Sequence, residues 1–142
     1  TIAGRMQVLD ELLALASRAS IEKILVDTAV LDIPDPGPVG KAVYLVKEKY
    51  GLPVGAGTHN AVQRWKKMRK LDETLFSIAS SVADVLPICM GANFVIYGPI
   101  DNASNAYFHC ALADAYVAYS MRQEFGVRPL TSNHPLFKIF KA

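Results

Sequence analysis

The sequence predicts an α/β domain with parallel strands, and three observations carry that expectation. Helical and strand-like segments alternate along the chain, the order from which parallel sheets with crossover helices are built. The stretch "KILVD" holds Ile24, Leu25 and Val26 in one unbroken apolar run, the pattern of a strand buried on both faces. Only three strand-like segments occur in the 142 residues. Three strands are too few to finish a common sheet, because two of them would be edges. The count fits about the last three βα units of a (β/α)8 TIM barrel, whose full length is about 250 residues. The chain is therefore expected to be the C-terminal portion of one barrel, a fragment of a chain about twice as long. A start at Thr1, without an initiator methionine and directly in a helix, points the same way. The competing architecture is a small complete α/β domain that recruits its missing strands by oligomerising.

From Arg5 to Arg18, the residues Met6, Leu9, Leu12, Leu13 and Ala16 recur at helical spacing. The first strand ends in Asp27 and enters "TAVLDIPDPGP", whose Pro, Gly and Asp content predicts a loop. Pro38 suits the first turn of a second helix. That helix carries Val39, Val43 and Val46 on one stripe and ends at Tyr50-Gly51, where glycine caps it. "LPVGA" predicts the second strand and "GTHN" its exit loop, followed by a basic helical stretch from Val62 to Lys70. A helix from Glu73 to about Leu86 presents Leu75, Ile78, Val82 and Val85 at helical spacing. "ANFVIYG" predicts the third strand, with Gly98-Pro99-Ile100-Asp101 as its exit. Phe108, Ala111, Leu112, Ala115 and Tyr119 mark a long helix stopped by Gly126, and the tail "RPLTSNHPLFKIF" predicts a short apolar one.

A net charge of +2 gives no reason to expect nucleic acid or an anionic membrane as partner. No apolar run approaches the roughly 20 residues of a membrane span. Cys89 and Cys110 fit no zinc or redox spacing and are expected as small core residues. Reduced thiols and no secretory signal favour the cytoplasm. No metal-like cluster of His, Cys, Asp and Glu stands out, nor a Ser-His-Asp order, a Walker loop or a Rossmann glycine fingerprint. His109 and His134 fall in the long helix and the tail.

In a parallel barrel the active site is built at the carboxyl ends of the strands. That rule selects Asp27, the loop Gly57 to Asn60, and Tyr97 through Asp101. A carboxylate at an apolar mouth needs donors. For Asp27 these are either Thr28 and turn N–H groups, or a ligand with paired N–H donors such as a 2-amino-4-oxo heterocycle. Asp32 and Asp35 are explained by capping or turn formation. Within "GAGTHN", Gly57 lets the backbone turn and a ligand come close. Thr58 or Asn60 suits the cap of the next helix, whereas the Asn60 amide also both donates and accepts without changing charge. His59 is either an imidazole titrating near neutrality or a solvent-facing loop residue. "RWKKMRK", Arg64 to Lys70, reads as a solvated helix face or as a dock for an acidic partner or an anionic ligand tail.

Taken together, "ILVDTAVLDIP", "LPVGAGTHNAV", "MGANFVIYGPIDNA" and "HPLFKIF" resemble a methyltransferase family named for the H subunit of tetrahydromethanopterin S-methyltransferase. Bacterial methylcobalamin:tetrahydrofolate methyltransferases belong to the same family. The resemblance runs from Glu22 to Phe140, with its motifs in order. The strand–Asp and Gly-x-x-Asn elements are more distantly similar to pterin-binding barrels, including corrinoid-linked methyltetrahydrofolate methyltransferases and dihydropteroate synthase.

The resemblance implies a (β/α)8 barrel that moves a methyl group between N5 of a reduced pterin and a corrinoid. The pterin is tetrahydrofolate or tetrahydromethanopterin, the cobalamin-type corrinoid rides on a partner protein, and the full-length enzyme is expected to be a homodimer. Asp27 becomes the pterin-anchoring carboxylate and Asn60 the amide beside N5. His59 is its catalytic neighbour, and Gly57, Thr58, Tyr97 and Asp101 complete the expected pterin site. An amine is a poor leaving group until its nitrogen is protonated or hydrogen-bonded, so an adjacent donor lowers the barrier. Two departures stand out. Folate-type relatives carry a small serine-like residue where this chain has His59, and the pterin-binding residues of earlier strands lie outside this sequence. The isolated chain is therefore expected to be inactive. Two other functions compete: a non-catalytic docking module for a corrinoid protein, and a synthase of the dihydropteroate type. The synthase would favour a basic anchor for pyrophosphate, and the sequence offers no arginine at the expected strand ends.

Overall fold

Thr1 opens the chain as a helix cap, its hydroxyl accepting from the Gly4 N–H at 3.1 Å. The computed structural model describes residues 1–28 and 34–140. Asp32 and much of the expected loop before Pro38 lie outside them. Helix α1 (Ile2–Arg18) leads to strand β1 (Val26–Asp27), helix α2 (Gly37–Tyr50) and strand β2 (Val54–Ala56). Helices α3 (His59–Arg69) and α4 (Glu73–Cys89) precede strand β3 (Phe94–Val95). A 3-10 turn at Ile100–Asn102, α5 (Ala103–Phe125) and the short α6 (Pro135–Ile139) close the described chain. Asp35 accepts from the Gly37 N–H at 2.8 Å and forms the expected turn ahead of α2. Asp72 caps α4 by accepting from the Leu75 N–H at 2.8 Å.

The sheet is parallel and sequential, β1–β2–β3, as the α/β expectation required. Val26 pairs with Val54 and Asp27 with Gly55. Gly55 and Ala56 pair in turn with Phe94 and Val95. The helices lie against one face, where Val26, Val43, Val46 and Val54 form a core joined by Met6 and Leu9 of α1. Val39, Val43, Val46 and Val54 are at most 1% exposed, and burying each contributes roughly 1.5–3 kcal/mol.

The expectation of strands buried on both faces is met by β2, whose three residues are all buried, and not by the first strand. Side chains alternate across a strand: Ile24 and Val26 join the core, while Leu25 is 72% exposed on the opposite face. Ile96, just past β3, is exposed as well. Gly55 is where the sheet is tightest. A Cβ there would lie 2.2 Å from the Phe94 carbonyl oxygen, so no larger residue fits.

Two further expectations are corrected. Leu75, Ile78 and Val82 of α4 are 52–66% exposed, and the buried face is Ser80, Ala83, Asp84 and Pro87. Both sets have helical spacing; the small one wins because α4 must approach α2, α3 and α5 closely. Cys89, expected in the core, is exposed, and Cys110 is partly buried. Among the described residues, no helix is long and apolar enough to cross a membrane.

Candidate functional site

The carboxyl ends of the three strands bring the expected residues to one edge of the sheet, in several different states. Asp27 ends β1 with an exposed carboxylate, on the strand face opposite the helix-packed Val26. The Arg5 guanidinium donates to the Thr28 carbonyl. A cation from α1 thus reaches this strand end, which no pattern around Asp27 in the sequence announced.

Beyond β2, the polar triplet divides. Thr58 is fully buried and donates its hydroxyl to Asp84 Oδ1 at 3.1 Å. It occupies the cap position of α3 without making a side-chain cap bond. His59 is 3% exposed, so it is not the solvent-facing residue that one expectation allowed. Its Nε2 lies 3.1 Å from the Gln63 amide nitrogen, and its ring meets Phe76 edge-on at 5.6 Å. Burial pushes its pKa down, with the Asp84 carboxylate opposing. Asn60 alone of the three is exposed. Its amide nitrogen lies 3.7 Å from where a Gly57 Cβ would stand, an ordinary contact, so Gly57 is not sterically obligatory.

The third exit turns back on the second. Gly98 has φ +87°, and a Cβ there would fall 2.4 Å from His59 Cδ2. Glycine is needed on both counts. Tyr97 is half-buried with its ring 5.8 Å from Tyr107 of α5. Asp101 is exposed in the 3-10 turn. Asp27, Gly57, Thr58, His59, Asn60, Tyr97 and Asp101 thus lie at or just beyond adjacent strand ends, with Thr58 and His59 facing inward.

Sequence reasoning missed the centre of this arrangement. Asp84 of α4 is 0% exposed, accepts from Thr58, and holds Oδ2 3.2 Å from His109 Nε2 on α5. Burial raises its pKa; the bonds from Thr58 and His109, and the nearby His109 and His59 charges, pull the other way. Its own burial, with the Asp84 charge adding to it, pushes the Cys110 thiol up to about 11. One signal was available: Ser80, Ala83, Asp84 and Pro87 fall at i, i+3, i+4 and i+7, a small-residue stripe with one acid in it. "RWKKMRK" forms the C-terminal turns of α3 and its cap residue Lys70; Lys66 pairs with Glu73 at 2.6 Å and lies over the Phe76 ring.

A family model described as the tetrahydromethanopterin S-methyltransferase MtrH subunit matches residues 1–130. The chain belongs to this family. The H subunit of tetrahydromethanopterin S-methyltransferase from Methanothermobacter thermautotrophicus is 32% identical, over 90% of this chain and 42% of its own. That of Methanococcus maripaludis is 32% identical over 98% of this chain and 50% of its own. The H subunit of a putative mtx methyltransferase from Methanosarcina barkeri is 28% identical over 96% and 47%. The chain spans about half the length of the curated relatives it matches.

Proposed function

We propose that this chain is the C-terminal part of a (β/α)8 barrel that transfers a methyl group to or from N5 of a reduced pterin. One observation carries the proposal: the exposed Asp27 carboxylate and the exposed Asn60 amide stand at the carboxyl ends of neighbouring parallel strands. The three strands run in sequential order, as consecutive barrel strands do. The relatives named for tetrahydromethanopterin make that carrier the first choice of pterin, with tetrahydrofolate the alternative.

The residues fit a pterin. Asp27 accepts two parallel bonds from the exocyclic amine and ring N–H and fixes the ring's orientation. Asn60, beside N5, donates as that nitrogen gains electron density and accepts when it is protonated. With no charge of its own to neutralise, the amide serves either direction of transfer. Burial pushes the His59 pKa down, and the part of this packed ring is to shape the loop under Asn60. A corrinoid on a partner protein supplies the methyl donor or acceptor when bound, and in-line approach makes positioning a large share of the catalysis. Tyr97 and Asp101 border the same mouth, and the full-length protein acts as a homodimer.

The test uses the full-length protein. Asp27→Asn is expected to weaken pterin binding by about 1.5–3 kcal/mol, the worth of a hydrogen bond to a charged group. Asn60→Ala should lower kcat about a hundredfold, as loss of one transition-state donor does, while changing the pterin KM far less. If neither change matters, and charge reversal at Lys66 and Lys67 abolishes association with a corrinoid protein, the chain is a docking module instead.

A further inference from the structure

We propose that Asp84, which touches no substrate, is the positioning residue for Asn60, acting through Thr58 and His109. The kinetic part of this inference rests on the methyl-transfer proposal above; its structural part does not. Asp84 stands fully buried on α4, a helix packed against α2, α3 and α5. A buried carboxylate persists only when its oxygens are engaged, and both are. Oδ1 takes the Thr58 hydroxyl at 3.1 Å and Oδ2 faces His109 Nε2 at 3.2 Å.

Those partners belong to different elements. Thr58 lies two residues before Asn60. His109 sits on α5, the helix that follows the Gly98–Asn102 exit of β3. A single carboxylate therefore ties the exit of β2 to α5, while the His59 ring lies against Gly98 in the exit of β3. Asn60 directly follows Thr58 and His59, the two residues held in this way.

Thr58 departs from a local rule in doing this. A threonine at a helix start ordinarily turns its hydroxyl to a backbone N–H of the first turn. Here its backbone is already helical, φ −65° and ψ −23°, and the hydroxyl goes to Asp84, leaving α3 without a side-chain cap. Departures of this kind concentrate at functional sites. Fixing the Thr58 side chain fixes the first turn of α3, and with it the depth at which the Asn60 amide meets a ligand. Catalysis by placement is sensitive to shifts well under the length of a bond.

The test compares full-length wild-type protein with Asp84→Ala, Asp84→Asn, Thr58→Val and the Asp84→Ala/Thr58→Val pair. Methyl transfer from methylcobalamin to the reduced pterin is measured beside thermal stability. Asp84→Ala should lower kcat about tenfold or more, with the pterin KM within about threefold. Asp84→Asn, whose amide oxygen still accepts from Thr58, should recover most of the loss. Thr58→Val should reproduce the kcat loss, and the pair should be no worse than the poorer single change. Unchanged kcat in the folded protein alongside a lower Tm, or losses that simply add, would overturn the proposal. If Asp84→Ala does not fold, Thr58→Val carries the same readouts. Selective 15N labelling of asparagine gives an arm independent of activity. The Asn60 side-chain amide resonances should move in Thr58→Val, and their staying in place would equally overturn the inference. Should wild-type protein transfer no methyl group, the functional proposal falls, and the resonances still decide this one.

Discussion

Replacing Gly98 by alanine tests whether the two exit loops are locked together. The φ of +87° costs an L-residue roughly 1–2 kcal/mol. The new Cβ would also fall 2.4 Å from His59 Cδ2 and 2.8 Å from Cγ. That ring has little room to retreat, held at Nε2 by Gln63 and edge-on by Phe76. Overpacking of this kind costs about 1–3 kcal/mol, so Gly98→Ala should destabilise by about 2–5 kcal/mol in total. Gly126 is the internal control: its φ is +68° and a Cβ there meets nothing within 4 Å. Gly126→Ala should therefore show the backbone strain alone. Urea unfolding of full-length protein, read as midpoint shifts at constant m-value, measures both. Adding His59→Ala to Gly98→Ala should remove the contact share, visible as a non-additive cycle. The reasoning is refuted if Gly98→Ala costs no more than Gly126→Ala, or if the cycle is additive.

Three other outcomes follow from the same geometry. Asp84 faces Thr58 and His59 on one side and His109 and Cys110 on the other, and burial raises its pKa. The contribution of Asp84 to stability is then fully present below the unfolded Asp value of about 3.9 and is lost as pH rises through the folded value. Asp84→Asn removes that titration, so its stability relative to wild type should grow with pH in urea midpoints; a shrinking difference would contradict the burial argument. With its thiol pushed up to about 11, Cys110 should resist iodoacetamide at about pH 8 while exposed Cys89 is alkylated. Peptide mapping showing equal labelling would count against it. Gly55→Ala should be worse than Gly98→Ala, because its Cβ meets the Phe94 main-chain oxygen rather than a side chain. Circular dichroism melting compares the two.

The order of elements was legible because it depends on local chemistry. Unbroken apolar runs, a proline at a helix start, and glycines at Gly51 and Gly126 each act within a few residues. The parallel sheet followed from that alternation, and with it the places of Asp27 and Asn60 at neighbouring strand ends. Which helix face turns inward was not local. Leu75, Ile78 and Val82 have as good a helical period as Ser80, Ala83, Asp84 and Pro87, and hydrophobicity favours the first set. The smaller set is buried because α4 lies close against three other helices. The same closeness turned Thr58 from a helix cap into a donor to Asp84, and His59 from a loop residue into a ring packed on Gly98. Sequence by itself determined the folding units and the residues offered at the strand ends, since both arise from short-range periodicity and turn chemistry. Tertiary structure alone decided which of the three polar residues reaches solvent, because a carboxylate 26 positions away along the chain claims the first of them.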